Sequence, residues 1–454
     1  MSRHIEQVSA LDAFARAKKN PWRRYPTPQS KEDRLYPLAN PMAQPSFEIT
    51  QGETFFAIGS CFARNVETAL TDAGMTVTST GMDLGPVGES LDYAQNFFNK
   101  YSVHSVYNDL RWALEPETFP GEDILYHIPG KTWYADLQLG IAKLEFPPDE
   151  IMAFRRMYLD VLARVATADV VIITLGYVET WFDKTLGVYL NTSPPQALIK
   201  AEPDRFEFRV LSYEEVLETL HKIYALLNRH RTKPLKMLLT VSPVPLLSTF
   251  RDMDVLVANT YSKSVQRAAI DAFVRDTTHV DYFPSYEFVT LSNPAVAWQS
   301  NDYRHVSSEL VARIMQNVMA QYLVTDANAD PVIDAAQAAM QIKALHAAKD
   351  YKAIVALVRS ADVLTDASPD LVVNVANAFA RVGELQIALD LLHAADKHPA
   401  AKGGPLELII RIYASVGHPK LEAKLEEHRQ RYAKRDGFRN RIAHALAQDS
   451  NNDS

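Results

Sequence analysis

The stretch FFAIGSCFARNVETAL (residues 55–70) runs from an unbroken apolar segment into one with apolar side chains at helical spacing, and the single cysteine of the 454-residue chain stands at the junction. TFFAIG (54–59) reads as a strand covered on both faces, because nothing in it is polar enough to face water. Phe62, Val66, Ala69 and Leu70 recur on one helical face, so Cys61 opens a helix. Gly59 lets the chain make the sharp strand-to-helix turn without steric strain. A strand passing straight into a helix is the first half of a βα unit, and it predicts an α/β fold with a mostly parallel sheet.

Outward from this stretch the same signature recurs. DVVIITLG (169–176) and KMLLTVSP (236–243) are further continuous apolar runs, and HVDYFPSY (279–286) reads as the last strand. In HVSSELVARIMQNVMAQYL, Leu310, Val311, Ile314, Met315, Val318 and Met319 share one helical face behind Ser307 as N-cap. That helix is expected to close the α/β domain, 51–325, near residue 324. The aromatic-rich insert at about 75–150 shows no pattern that assigns it elements.

Upstream, Pro21, Pro26, Pro28, Pro37, Pro41 and Pro45 exclude a regular helix or central strand between 20 and 47. Residues 1–50 are read as a Pro-rich arm laid over the main domain. Downstream of TDANADPVID the chain turns Ala-rich and helical without strand signal. ALHAAKDYKAIVALV, AFARVGELQIALDLL and IYASVGHPKLEAKLE align with Lys349, Gly383 and Gly417 each 34 residues apart. That is the period of tetratricopeptide (TPR) hairpins, in which small residues allow close packing at the helix–helix turn. Lysine in the first unit departs from the consensus, so residues 331–446 are read as a TPR-like helical array for packing or partner binding. KLEEHRQRYAKRDGFRNR reads as a solvated helical face, and the polar tail 447–454 as disordered.

Composition narrows the function. The chain is 47% hydrophobic and 22% charged, the profile of an ordinary soluble protein. Its net charge of -8 disfavours a nucleic-acid backbone as partner. The N-terminal residues lack the apolar core of a signal peptide and no stretch approaches the ~20 apolar residues of a membrane span, so neither export nor a membrane is expected and a cytoplasmic location is. One cysteine rules out an intrachain disulfide and the cysteine-rich metal sites. His104 and His127 have no spaced ligand partner, so no metal is expected; no cofactor is expected either.

In doubly wound α/β proteins ligands bind at the carboxyl ends of the strands, where Gly59-Ser60-Cys61 falls. A thiol at a helix N-terminus feels the positive end of the helix dipole and nearby N–H donors, which favour the thiolate nucleophile. A lone cysteine is also commonly a small buried hydrophobe. The stretch SNDYRHVSSEL adds Asp302 three residues before His305, a spacing at which the carboxylate holds one imidazole nitrogen and leaves the other free as a base. Ser60 is expected to cap the helix. Glu179 reads equally as an acid at a strand end or as a carboxylate that orients loop amides, Trp181 as pocket wall or core, and Lys263 as an exposed helix lysine.

AIGSCFA (57–63) resembles the motif for which the GSCFA family is named, and that family is similar to the SGNH or GDSL-type hydrolases, which are three-layer α/β/α enzymes. TLGYVETW (174–181), TVSPVPL (240–246) and ANTYSKSVQRA (258–268) resemble further segments of the family, and the likeness spans about residues 50–324. In the SGNH pattern a Gly-Asp-Ser block carries the nucleophile and an Asp-x-x-His block the rest of the triad. The resemblance therefore places Cys61 as nucleophile, His305 as base and Asp302 as its partner. The SGNH oxyanion donors come from a glycine in a second block and an asparagine in a third. Here the third block, Gly176-Tyr177-Val178-Glu179, lacks the asparagine, and the nearest second block, FFNKYSVHSVYND, lacks the glycine. Ser60, Asn99, Ser102, Asn108, Gly176 and Glu179 are the remaining oxyanion or substrate-binding candidates. What the resemblance implies is hydrolysis of an acyl ester, with an O-acyl carbohydrate as the substrate by analogy. An acyltransferase passing the acyl group to a sugar hydroxyl, and a non-catalytic protein that binds a glycan or a partner through the helical repeats, are the alternatives.

Overall fold

Proline spacing governs the start of the chain. Ahead of the prolines a helix, α1 (Ala10–Lys19), forms with the Ser9 hydroxyl accepting from the Asp12 amide at 3.1 Å. Further on, backbone amides find side-chain acceptors in place of a neighbouring strand. Ala39 donates to Ser292 Oγ at 2.9 Å, Ala43 to Gln321 Oε1 at 2.8 Å and Ser46 to Asp281 Oδ2 at 2.8 Å. Leu38, Ala39, Phe47 and Ile49 are buried along this path. The computed structural model describes residues 5–28, 33–83, 85, 87, 98–139, 144–299, 302–323, 342–343, 345–346, 349–360, 364, 367–398, 401 and 403–432. The chain divides into two compact units, Met1–Asp326 and Ala327–Ser454.

In the first unit, strand β1 (Thr54–Gly59) buries every residue from Phe55 on and passes directly into α2 (Cys61–Asp72). It is joined by β2 (Thr76–Val77), β5 (Val170–Leu175), β9 (Lys236–Val241) and β10 (Val280–Tyr282), all parallel, in the order β10-β9-β5-β1-β2. The four apolar runs read as strands are therefore strands. Alternation divides their side chains between two faces. Phe56, Ile58, Val171, Ile173, Leu175, Met237, Leu239 and Val241 join one core with α3 (Val103–Leu114), α4 (Pro148–Ala163), α5 (Tyr213–His230) and α6 (Val255–Asp276). Helix α2 lies against β1 and packs on α7 (Ser308–Tyr322), whose Ser307 hydroxyl accepts from the Leu310 amide at 3.3 Å. Helices thus cover the parallel sheet in a three-layer α/β arrangement.

The insert that carried no readable pattern holds α3, the hairpin β3 (Leu125–His127) and β4 (Tyr134–Asp136), and the start of α4. It is tied down by charge. Lys100, Asp109, Asp136 and Arg155 are all 0% exposed, and Arg155 reaches Asp109 at 2.6 Å and Asp136 at 3.5 Å while Lys100 pairs with Asp109. The Tyr158 hydroxyl donates to Asp109 at 2.8 Å. Burial pushes the Asp109 carboxyl up, but Arg155 and Lys100 outweigh it and hold it below its usual range. A second sheet, β6 (Glu179–Asp183), β7 (Val188–Leu190) and β8 (Phe206–Val210), is antiparallel in the order β7-β6-β8.

The second unit is all helical where it is described: α8 (Tyr351–Ser360), α9 (Pro369–Arg381), α10 (Leu385–Asp396), α11 (Gly404–Ser415) and α12 (Leu421–Arg431). Lys349, Gly383 and Gly417 have φ of 58°, 92° and 62°. At each, the following amide reaches back five residues: Asp350 to Leu345 O and Glu384 to Phe379 O, both at 2.9 Å, and His418 to Tyr413 O at 2.9 Å. This is the left-handed Schellman ending of a helix. The two glycines are there for that backbone conformation and not for close packing, since a Cβ added to either would meet nothing within 4 Å. The expectation of close packing at the turn is thereby corrected, and lysine can stand in the first position at only the cost of a left-handed φ.

Two outcomes follow from the cores. Arg155→Met strands two buried carboxylates opposite Lys100 and is expected to lose about 3–5 kcal/mol, read as a lower denaturant midpoint; an unchanged midpoint would mean the network carries no stability. A fragment of residues 1–326 is expected to be soluble and to melt in one transition, which size exclusion and calorimetry test; aggregation of the fragment would contradict an independent core.

Candidate active site

The sheet order reverses between β1 and β5, so the crevice at the carboxyl ends of these two strands is the switch point where ligands bind in such sheets. Gly59 pairs with Thr174 across it. Its φ is +138°, and a Cβ there would sit 2.1 Å from the Thr174 carbonyl oxygen, so no other residue fits. Beyond the turn Ser60 and Cys61 diverge. The Ser60 amide donates to Thr174 O at 3.0 Å, and its hydroxyl accepts from Phe62 N at 3.3 Å and shares a 3.2 Å hydrogen bond with Thr174 Oγ1. Ser60 is therefore the buried N-cap of α2, as read from sequence. Cys61, the first residue of the helix, is partly exposed and lines a cavity of about 450 Å³.

The floor of that cavity comes from Cys61, Asn99, Tyr101 and Gly176. Residues 99–101 cross the ends of β1 and β5 as an extra strand fragment: Lys100 N donates to Gly59 O at 2.6 Å, and Gly176 N and Tyr177 N donate to Tyr101 O at 3.1 and 2.9 Å. One wall is aromatic, with the rings of Trp181, Phe208 and Phe250 5.2–5.6 Å apart. Arg304 and His305 line the same cavity as Cys61. The Arg304 Nε is buried without a hydrogen-bond partner among the described residues.

His305 is held from behind. Its Nδ1 is hydrogen-bonded to Asp302 Oδ2, and Asp302 Oδ1 accepts from the Arg304 and His305 amides at 2.5 and 3.2 Å. These bonds, with His305 first, hold the Asp302 carboxyl down to about 2. A bridge between Trp298 and Val306 closes the loop, whose Asp302 amide also reaches Gln299 O at 3.1 Å.

The remaining candidates separate. Asn99 and Gly176 line the cavity, but the Gly176 amide is spent on Tyr101 and the Ser60 amide on Thr174. Glu179 borders the cavity too, and accepts from the Thr249 hydroxyl at 2.7 Å and the Phe250 amide at 3.1 Å, so it does orient a loop. Ser102 and Asn108 are not among the lining residues. Ser102 caps α3 in a reciprocal pair with Ser105, and Asn108 Nδ2 donates to Tyr189 O at 2.8 Å, because helix formation turns both away from the crevice. Sequence reasoning missed Tyr101, Phe208, Phe250 and Arg304. Arg304 stands beside His305, and the alternation Asn99-Lys100-Tyr101 is a strand signal too short to read alone.

Two electrostatic expectations are corrected. The thiol was expected to be acidified at the helix N-terminus, yet burial pushes the Cys61 thiol above its ordinary value. Lys263, Arg304 and the Cys61 and Phe62 amides oppose that shift without cancelling it. Lys263 was read as an exposed helix lysine, yet it is 2% exposed, with Nζ donating to Gly176 O at 2.6 Å and Val244 O at 2.8 Å. Burial brings its ammonium down to about 7.

Fold and site together define an α/β protein with a parallel sheet, a thiol at the switch point, and an aspartate-held imidazole on the same cavity. The chain belongs to the GSCFA family, whose model matches residues 54–318. No curated protein matches it. Among the described residues no helix is long and apolar enough to cross a membrane.

Because Gly59 has no room for a Cβ, Gly59→Ala is expected to cost about 3 kcal/mol or more and to shift the turn that presents Cys61. Chemical denaturation reads the loss, and a variant as stable as the wild type would contradict the close approach.

Proposed function

We propose that the chain is an SGNH-like ester hydrolase that works through Cys61, His305 and Asp302 on an O-acyl carbohydrate. The observation that carries this reading is the shared cavity: the one thiol and a carboxylate-held imidazole line it together at the switch point. Because burial keeps the thiol protonated, the nucleophile needs a base. Sγ attacks the ester carbonyl carbon while its proton passes to His305 Nε2, and Asp302 holds the tautomer and offsets the imidazolium charge. The tetrahedral intermediate expels the alcohol, which takes the proton from His305 and leaves an acyl-thioester. Water then attacks that carbonyl, gives its proton to His305, and the acid departs as the thiol is reprotonated.

The oxyanion is assigned to the Cys61 amide, the Asn99 carboxamide and the Arg304 guanidinium, which replace the missing asparagine of the SGNH third block. Trp181, Phe208 and Phe250 offer apolar ring faces to a sugar. The His305 side chain is 53% exposed, so water reaches the base, and this favours hydrolysis over transfer to a second alcohol. The three Schellman turns at a 34-residue spacing support reading the helical unit as a TPR-like partner-binding array, and a lone free thiol accords with a cytoplasmic setting.

Incubation with p-nitrophenyl acetate, followed by intact mass, tests the chemistry. The wild type is expected to show one acetyl adduct and turnover. Cys61→Ala is expected to lose both at nearly unchanged thermal stability, whereas Ser60→Ala keeps the adduct and loses about 1 kcal/mol as a helix cap. An adduct that survives Cys61→Ala and vanishes with Ser60→Ala would reverse the assignment, and no adduct in the wild type would favour the binding-protein reading. Acyl transfer to added sugar faster than to water would make it a transferase.

A further inference from the structure

Between β9 and α6 runs a loop whose polar groups are bonded to its surroundings while its large apolar side chains stand in water. Glu179 accepts from the Thr249 hydroxyl and the Phe250 amide, Asn259 Oδ1 from the Leu246 amide at 3.1 Å, and Asp254 caps α6 through the Leu256 amide at 2.7 Å. The Arg251 guanidinium lies 4.8 Å from the centre of the Tyr261 ring. These contacts fold the loop onto the first two turns of α6, so Leu247, Phe250, Met253, Leu256 and Val257 share one stretch of surface. Leu247 and Leu256 are each 74% exposed, and Phe250 and Val257 59% and 58%. Single exposed apolar side chains are ordinary, whereas a contiguous set marks a place that something covers. At one end of the set, Leu247 and Phe250 also line the cavity that holds Cys61.

We infer that this rim is a subsite for the acyl chain of the substrate: the acyl group is a medium-length alkyl chain that passes from the carbonyl at Cys61 over Leu247 and Phe250 to Leu256 and Val257. The inference rests on the reading that an acyl ester is the substrate. Continuity names the occupant, because the rim begins among the residues that line the cavity, and a molecule held there reaches the rim without crossing other surface. Attack by Sγ fixes the carbonyl carbon beside Cys61, so an acetyl methyl, one bond away, stays by the thiol and leaves the rim bare. A sugar is a poor cover for it. Leu247, Leu256 and Val257 carry no group that pairs with a hydroxyl, so sugar hydroxyls laid on them would lose water and gain nothing. Methylenes have no such loss, and each one covered takes apolar surface on both sides out of water.

Cys61 is the single thiol of the chain, so its protection from iodoacetamide reports occupancy of the cavity without any turnover. N-octanoylglucosamine, an amide that carries the chain and resists hydrolysis, is compared below its micelle concentration with N-acetylglucosamine. The octanoyl compound is expected to half-protect at a concentration lower by about tenfold or more. Leu256→Ser combined with Val257→Ser changes only exposed side chains outside the cavity lining. It is expected to raise the half-protecting concentration of the octanoyl compound about fivefold and to leave that of the acetyl compound unchanged. No protection by the octanoyl compound, equal protection by the two, or an octanoyl preference that survives the double substitution would overturn the subsite. A wild-type dimer that the substitution splits on size exclusion would also overturn it and give the rim to a second copy, and binding to phosphatidylcholine vesicles that the substitution abolishes would give it to a lipid surface. Protection needs no ester cleavage, so failure of the acetyl adduct with p-nitrophenyl acetate would sink the hydrolase reading and leave this binding result standing.

Discussion

The segment Asn99-Lys100-Tyr101 is the constraint on which the site depends. Its backbone is hydrogen-bonded to Gly59 on one side and to Gly176 and Tyr177 on the other, so it spans the crevice between β1 and β5. Successive side chains of an extended segment point to opposite sides. Asn99 and Tyr101 therefore face the cavity while Lys100 is driven into the core, where it would be an unpaired charge without Asp109. The network of Lys100, Asp109, Arg155 and Asp136 is thus the condition for the cavity floor: two cations and two anions, all excluded from water, with a geometry that fixes where the fragment lies. Such networks specify position more than they add stability, since apolar packing in their place would serve stability as well.

The elements that were legible in the sequence are those whose signal is local. TFFAIG and VVIITL read as strands because a short unbroken apolar run fits a strand covered on both faces, and the last helix was set by a single apolar face with Ser307 before it. The second sheet was not read, although FEFRV alternates, because five residues of alternation between polar segments are weak evidence alone. The ion network was beyond reach for another reason. Lys100 and Arg155 are ordinary charged residues in sequence, and only the tertiary fold removes both from water. Lys263 is of the same kind: the helical period shows which residues share a face, but not that the chain after β5 and β9 closes over this one.

Burial and ionisation oppose each other at Cys61. The turn that presents the thiol to the cavity also sets it among Tyr101, Tyr177 and the strand ends, and that desolvation outweighs the helix N-terminus and both cations. A helix dipole is worth a fraction of a charge and fades when its first turn is covered, whereas desolvation acts on the whole charge of the thiolate. Only the first of these is visible in the sequence, because desolvation depends on the tertiary fold. Under the proposed hydrolysis this balance gives His305 a purpose that a pre-ionised thiol would not require, and its exposure suits a base that would exchange protons with water between steps.

Why the thiol stands at position 61 and not at 60 follows from the same turn. With Gly59 at φ +138°, the chain leaves β1 sharply, and the next side chain is directed at β5, where Ser60 meets Thr174 and caps the helix. The side chain after it comes off the first helical residue and faces the open crevice. A nucleophile at 60 would be walled off by β5 and would lose the cap; a cap at 61 would leave the amide of Phe62 without its acceptor. Adjacent residues thus carry separate duties that cannot be exchanged, and the glycine before them is what divides the duties.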